Sequence, residues 1–167
     1  NRQLAATALH KVRVINANGD LSRFESYGLP VIPDSLPDWP GPLAGILSCL
    51  DWLAQSHCEC DLLLSCATDA PFISSDLAFR LLQARTAENA TLAQARSSGR
   101  RHPVFGLWPV SIRQDLRTAL IEDGLRKIDD FTDRFSLAIA DFAGHPDPFS
   151  NVNQPEDIAA VEAYFDN

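Results

Sequence analysis

The chain has 167 residues, a length typical of one domain with a sizeable hydrophobic core. Apolar residues make up 46% of it and charged residues 22%, both ordinary for a globular protein. A net charge of −8 argues against nucleic-acid binding, which requires a basic patch. No apolar run reaches the roughly 18 residues of a membrane-spanning helix, and no signal-peptide core follows Asn1. We therefore expect a cytoplasmic protein with neither nucleic acid nor membrane as a partner.

The first third of the chain predicts short strands and helices in alternation. A helical stripe over residues 2–10 leads into a β-branched strand, Val12–Asn16. Asp20 is suited to cap a short helix that Gly28 ends. A brief strand over residues 30–33 follows, and the prolines after it predict a stiff loop.

A longer helix is predicted to begin at Pro42, because proline is favoured in the first helical turn. Gly45 lowers helix propensity in that turn, which indicates either close packing or the approach of a ligand. Packing is the favoured interpretation. Five apolar side chains recur on one helical face: Leu43, Ile46, Leu47, Leu50 and Leu53.

The run Leu62–Cys66 predicts a strand buried on both faces, and Pro71 ends any further sheet pairing. Asp69 lies between them, at the carboxyl end of the strand, where open α/β sheets bind ligands. An Asp at this place is able to ligate Mg²⁺. Capping of the next helix is an equally weighted alternative. A zinc site at His57–Cys60 is not predicted, because its C-x-C spacing lacks a second ligand pair.

The second half of the chain continues the alternation of strands and helices. Strands at Thr91–Ala95 and Pro103–Trp108 are predicted to pair antiparallel across the polar turn Ser97–His102. The next predicted element is a helix capped by Ser74-Ser75-Asp76. Further helices are predicted from Pro109 to Gly124, from Arg126 to Phe131 and from Pro155 onward, with a last strand at Leu137–Phe142. This order predicts a single α/β domain with a mainly parallel sheet and helices on both faces.

Polar side chains follow several of the predicted strands, namely Asn16, Asp34, Asp69, Asn151 and Asn153. The carboxyl ends of parallel strands meet at one edge of a sheet, so these groups are candidates for one binding site. The alternative is that Asn and Asp are simply common turn residues.

Three segments carry a resemblance to a known family: Val31–Ile46 with its G-P-L-A-G run, Cys66–Ile73, and Phe149–Asp157 with N-V-N-x-P-E-D. Asn16–Asn18 and Arg101–Pro103 are similar to it as well. The chain resembles the molybdenum cofactor guanylyltransferases, the MobA-like nucleotidyltransferases. The resemblance implies one α/β domain over residues 1–167, with a three-layer, Rossmann-like nucleotidyltransferase fold and a mainly parallel central sheet.

Members of that family transfer GMP from GTP to molybdopterin or Mo-molybdopterin and release pyrophosphate. The resemblance implies that Asp69 is the catalytic residue, binding Mg²⁺ and nucleotide phosphate, and that Asn16 and Asp34 contact GTP. It implies four residues on the pterin side of the site or just behind it: Arg101, His102, Asn151 and Asn153. Proteins that insert the molybdenum cofactor are implied as further partners.

The chain differs from the family pattern in one large feature. The family pattern begins with a first strand and a glycine-rich loop followed by a lysine, which together hold the triphosphate. Residues 1–167 do not contain these features, and we expect a domain that lacks this phosphate cradle. A noncatalytic protein that binds a nucleotide or pterin and lacks the phosphate loop therefore remains an alternative. A cytidylyl or sugar-phosphate nucleotidyltransferase is a second alternative, because such enzymes share this fold.

Overall fold

A computed structural model describes residues 12–36, 41–57, 59–152, 154, 157–158 and 161–162. Its strands are β1 (Ile15–Asn16), β2 (Val31–Ile32), β3 (Leu62–Ser65), β4 (Leu92–Ser97), β5 (Arg100–Pro109) and β6 (Leu137–Phe142). Its α-helices are α1 (Pro42–Ser56), α2 (Leu77–Ala87), α3 (Arg113–Ile121) and α4 (Ile128–Thr132), and 3₁₀ helices cover Leu21–Tyr27 and Val110–Ile112. The α/β fold class is confirmed.

The chain forms two compact units, each assembled from separate stretches of sequence. The first unit contains the residues up to Leu63 together with Val110–Arg126. The second contains Leu64–Pro109 and the residues from Lys127 onward. The strand β3 therefore begins in the first unit and ends in the second.

In the first unit, β1 and β2 pair in parallel, with Ile15 opposite Val31 and Asn16 opposite Ile32. The helix α1 begins at Pro42, as predicted, and packs against α3. The predicted apolar face of α1 is confirmed, since all five of its side chains are buried. Burial of this face contributes to the unit's hydrophobic stabilisation.

In the second unit, the strand order is β3-β5-β4-β6. The strands β4 and β6 pair in parallel, and β4 and β5 form the predicted antiparallel hairpin. Its turn is shorter than the predicted Ser97–His102, because only Ser98 and Gly99 lie outside the strands. Both have positive φ angles, 49° and 76°, which match the twist of a two-residue hairpin.

The register of β4 against β5 shifts between Gln94, opposite Gly106, and Ala95, opposite His102. Residues 103–105 of β5 therefore have no partner in β4. Pro103 has no N–H to donate, so a bulge at this place costs the sheet little. The bulge is followed by Trp108, whose indole Nε1 donates to Ser65 Oγ at 2.8 Å.

Several predicted elements need correction. The residues of β3 are only half-buried, so the prediction of a strand buried on both faces is wrong. The strand predicted from Val12 is confined to Ile15–Asn16, and the helix predicted from Arg126 begins at Ile128. Asp76 precedes α2 as the predicted cap, but its carboxylate accepts a hydrogen bond from the Ser74 hydroxyl and makes no capping hydrogen bond to the helix.

Two predicted elements lie partly or wholly beyond the described residues. The helix at residues 2–10 is entirely outside them. The terminal helix is described only at residues 157–158 and 161–162, which are helical. Within the described parts of the chain, every helix is too short or too polar to cross a bilayer.

Candidate active site

The ends of β1 and β2 hold the carboxylate of Asp34 between two asparagine side chains. Asn16 Nδ2 donates to Asp34 Oδ1 at 2.9 Å, and Asn18 Nδ2 donates to Asp34 Oδ2 at 2.8 Å. The backbone N–H of Asp34 in turn donates to Asn18 Oδ1 at 2.8 Å. The parallel pairing of the two strands places these side chains together, as predicted for Asn16 and Asp34. We call this group the Asp34 clamp (Asn16, Asn18 and Asp34).

Helix α1 supports the Asp34 clamp at two points. A β-carbon built on Gly45 would lie 2.0 Å from Asn16 Oδ1, so only glycine leaves room for this amide. The predicted close packing at Gly45 is thus confirmed, and the packed group is itself a predicted site residue. Ser48 is buried in α1 and accepts a hydrogen bond at 2.7 Å from the backbone N–H of Ser35, next to Asp34.

Each oxygen of Asp34 accepts one hydrogen bond within the clamp. A carboxylate has about four acceptor positions, so two remain for a ligand. Asn16 also donates to the carbonyl oxygen of Ile32 at 2.9 Å, which fixes its amide orientation. The clamp therefore presents an oriented, partly exposed acceptor at the end of the strand pair.

Asp69 lies in the second unit, in the turn after β3. Its backbone carbonyl accepts the N–H of Val152 at 2.7 Å, which brings the described residues 151–152 of the predicted segment beside it. Asn151 is exposed, and Asn153 lies outside the described residues. Asp69 and residues 151–152 are thus neighbours, as the sequence indicates. That they share one site with the Asp34 clamp stays a prediction.

The surroundings of Asp69 fit a magnesium ligand. The residue is half-buried, and no described residue hydrogen-bonds or pairs with its carboxylate. Among the described residues, no three His, Cys, Asp or Glu side chains form a metal-binding group. Mg²⁺ does not need such a group, since it commonly takes one or two carboxylates together with water and substrate phosphates. A magnesium role for Asp69 stays a prediction.

Arg101 extends from β5 and lies between two carboxylates of the second unit. Its guanidinium is 3.2 Å from Asp129 Oδ1 and 3.5 Å from Asp133 Oδ1. The structure thus gives Arg101 partners within its own unit. A contact between Arg101 and the pterin stays a prediction.

His102, one position further along β5, joins a chain of polar side chains. Its Nε2 lies 2.7 Å from Ser97 Oγ, which lies 2.7 Å from Asp147 Oδ2. Burial lowers the pKa of His102, and Arg100 acts in the same direction, while Asp147 opposes the shift. Burial acts to raise the pKa of Asp147, but hydrogen bonds from Ser97 and from the Phe149 N–H outweigh it and lower this pKa. At neutral pH, therefore, the imidazole is neutral and the carboxylate ionised.

Sequence reasoning missed Asn18, Ser97 and Asp147. Asn18 lies two residues beyond the selected Asn16, and Asp147 follows β6 in a Gly/Pro-rich turn. The rule that selected Asp34 and Asp69, a carboxylate shortly after a strand, also applies to Asp147. Ser97 had no such signal, because a serine at a hairpin end is ordinary turn chemistry.

Comparison with known proteins finds relatives over most of the chain. Residues 2–135 match the MobA-like NTP transferase domain. A Rhodopseudomonas palustris (strain BisB5) protein named molybdenum cofactor guanylyltransferase is 50% identical over 149 residues, covering 89% of this chain and 71% of the relative. A Nitrobacter hamburgensis protein of the same name is 49% identical over 150 residues, covering 89% of this chain and 72% of the relative.

Solved structures show the same fold at lower sequence similarity. The molybdopterin-guanine dinucleotide biosynthesis protein A of Archaeoglobus fulgidus superposes with a TM-score of 0.69 at 20% identity, covering 92% of this chain and 78% of that one. A protein from Aquifex aeolicus superposes with a TM-score of 0.68 at 14% identity, over 84% of this chain and 70% of that one.

Proposed function

Because this chain belongs to the MobA-like NTP transferase family, we propose that it transfers GMP from GTP to molybdopterin or Mo-molybdopterin and releases pyrophosphate. Membership of the family makes the chain a nucleotidyltransferase. The choice of GTP and of a pterin acceptor is supported by the names of its relatives in Rhodopseudomonas and Nitrobacter. The structural observation that carries the proposal is the Asp34 clamp.

The clamp suits guanine better than the other bases. Guanine presents two adjacent donors, its N1–H and its amino group, and a carboxylate can accept from both. The corresponding edges of adenine and cytosine each pair a donor with an acceptor, and an acceptor would face the charged oxygens. Asn16 and Asn18 hold the carboxylate still. We therefore assign guanine recognition to Asp34, with the two asparagines orienting it.

The chemical step is attack by the terminal phosphate oxygen of the pterin on the α-phosphorus of GTP. The new P–O bond forms as the bond to the pyrophosphate oxygen breaks, and pyrophosphate leaves with that electron pair. Such transfers depend on positioning and on charge neutralisation, not on a protein nucleophile. Asp69 would bind Mg²⁺, and the charge that the ion supplies when bound offsets the charge on the leaving group. The protein's own task is to hold the base and both phosphates in line.

The test measures Mg²⁺-dependent pyrophosphate release by the full-length protein with molybdopterin and GTP, CTP or ATP. We expect turnover with GTP and a fall of roughly hundredfold or more in Asp69→Ala, because a group that stabilises charge is lost. Asp61→Ala is the matched control, since Asp61 is an exposed carboxylate at the other end of β3. It should keep full activity.

Any other result of the pyrophosphate-release assay contradicts one part of the proposal. Full turnover in Asp69→Ala would remove the metal role from this residue. A preference for CTP would keep the mechanism and move the protein to the cytidylyl alternative. Absence of pyrophosphate release with all three nucleotides in the unmodified protein would favour the noncatalytic alternative. Cofactor-insertion partners and a cytoplasmic location stay predictions that this assay does not address.

A further inference from the structure

The hydrogen-bond chain formed by Asp147, Ser97 and His102 has a direction that follows from counting protons. The carboxylate of Asp147 is ionised and can only accept. Ser97 has a single hydroxyl proton, and this proton is donated to Asp147 Oδ2 at 2.7 Å. The Ser97 oxygen must therefore accept the hydrogen bond from His102 Nε2, which lies 2.7 Å away.

The direction of the chain fixes the tautomer of His102. A neutral imidazole carries one N–H, and here it must be on Nε2. The other ring nitrogen, Nδ1, is left with a lone pair. No described residue donates a hydrogen bond to it, and His102 is only half-buried. Nδ1 is thus an acceptor that the protein has oriented and left available.

Asp147 and the ring are both held in place. The backbone N–H of Phe149 donates to Asp147 Oδ1 at 2.9 Å, so neither carboxylate oxygen is free to rotate away. The imidazole packs on the ring of Phe149, with centroids 4.7 Å apart, and against the edge of Phe105 at 6.3 Å. Both phenylalanines are buried, so the ring has a fixed apolar backing.

We infer that Asp147 and Ser97 are positioning residues that hold His102 as its Nε2–H tautomer, so that Nδ1 accepts a hydrogen bond from an N–H of the pterin ring of the acceptor substrate. A lone pair repels phosphate oxygens, so this nitrogen suits an N–H of the heterocycle and not the phosphate. The identity of the substrate rests on the proposed function. The tautomer and the roles of Asp147 and Ser97 do not.

The tautomer is measured by ¹⁵N NMR of the imidazole nitrogens in the full-length protein. We expect His102 with Nε2 protonated and Nδ1 unprotonated at neutral pH. In Asp147→Asn, the new amide N–H donates to Ser97, whose hydroxyl then donates to His102 Nε2, so the proton should move to Nδ1. Loss of a buried carboxylate partner is known to select the wrong tautomer in a Ser-His-Asp triad. Ser97→Ala should leave a mixture of the two forms.

Ser98→Ala is the matched control for these variants. Ser98 Oγ is 3.5 Å from Asp147 Oδ2, too far for a strong bond, and its loss should leave the tautomer unchanged. Protonation of Nδ1 in the unmodified protein would overturn the inference at once. An unchanged tautomer in both Asp147→Asn and Ser97→Ala would overturn the positioning roles.

The substrate contact is tested with two replacements of His102. Gln places a donor near the former Nε2 but no atom at Nδ1, whereas Asn places its side-chain oxygen near the former Nδ1. We expect His102→Gln to raise the KM for molybdopterin by roughly tenfold, the worth of one hydrogen bond, with the KM for GTP unchanged. His102→Asn should recover part of that loss. An unchanged molybdopterin KM in His102→Gln would overturn the contact.

The pterin contact and the His102 tautomer are contradicted by different results. If the unmodified protein does not use molybdopterin, the proposed function and the pterin contact are wrong together. The NMR result would still stand or fall by itself, because it needs no substrate.

Discussion

Asp34 is bound on both of its oxygens by the asparagine amides of the clamp. Replacing it with Asn keeps the size of the side chain but turns one acceptor into a donor, which would face a donor of guanine. We expect Asp34→Asn to lower the preference for GTP over ATP by roughly tenfold to hundredfold, as for a hydrogen bond to a charged group. Selectivity is measured as the ratio of kcat/KM values for the two nucleotides.

Asn18→Ala serves as the comparison for Asp34→Asn. It removes the amide that holds Asp34 Oδ2 but leaves the carboxylate itself in place. GTP should then bind more weakly with most of its selectivity retained. An unchanged GTP-over-ATP ratio in Asp34→Asn would remove this residue from base recognition and leave it as a structural partner of the asparagines.

Gly45 offers a test of the packing beneath the clamp. Alanine is favoured over glycine in a helix by about 1 kcal/mol, so the exchange would stabilise α1 if space allowed. A β-carbon 2.0 Å from Asn16 Oδ1 forces that side chain to move. We therefore expect Gly45→Ala to lower the free energy of unfolding by about 1–3 kcal/mol and to weaken GTP binding. Urea denaturation and calorimetry measure the two effects.

A double-mutant cycle isolates the cause of the Gly45 effect. In an Asn16→Ala background the clashing amide is gone, so Gly45→Ala should become neutral or stabilising. Gln55→Ala, at an exposed position of the same helix, controls for general effects of alanine in α1. Equal destabilisation by Gly45→Ala with and without Asn16 would show that another contact is responsible.

Individual site residues could be predicted from the sequence when they come directly after a predicted strand. Asn16, Asp34 and Asp69 were selected by that rule, and the structure joins the first two directly. Asn18 and Asp147 obey the same rule but had nothing in the sequence to separate them from ordinary turn residues. Asn18 hydrogen-bonds Asp34, 16 positions away, and Asp147 hydrogen-bonds Ser97, 50 positions away. A single sequence does not show which distant residues come into contact.

At the scale of elements, α1 and α3 are joined by an ionic contact as well as by apolar packing. Asp51 of α1 is 9% exposed and accepts a hydrogen bond from Arg117, while Arg113 lies 3.7 Å away. Arg117→Ala leaves a buried carboxylate with a single distant partner. We expect it to cost about 1–2 kcal/mol of unfolding free energy, against less than about 0.5 kcal/mol for Arg113→Ala.

Urea denaturation of the two arginine variants provides the measurement. Both arginines are about one third exposed and lie on one helix, so they form a matched pair that differs in its distance from Asp51. Equal losses of stability would show that the direct hydrogen bond from Arg117 adds nothing beyond the net charge.

Elements were most predictable where local chemistry alone decides them. The 3.6-residue apolar period of α1 and the β4–β5 hairpin are both confirmed. The length of the hairpin turn was overestimated because Arg100, Arg101 and His102 are polar, yet all three belong to β5 and pair with residues of β4. Strand burial was the poorest prediction: Leu62–Ser65 is apolar in most positions but only half-buried, since burial depends on what the rest of the chain places over it.

At the scale of the whole molecule, alternating strands and helices were enough to predict an α/β fold. The family could be identified because three separated segments match its pattern together, and the comparison over residues 2–135 confirms it. The division into two compact units was not predicted. It depends on long-range contacts that bring Val110–Arg126 back to the first unit, and local periodicity contains no information about such contacts.

This division means that the polypeptide passes from one unit to the other three times, after Leu63, after Pro109 and after Arg126. On the ribosome, where N-terminal parts generally fold first, the first unit has to wait for α3, which is made after the β4–β5 hairpin. The hairpin therefore emerges while α1 still lacks the helix that packs against it. Vectorial synthesis thus favours early local pairing of β4 with β5, and neither unit corresponds to a single uninterrupted stretch of the gene.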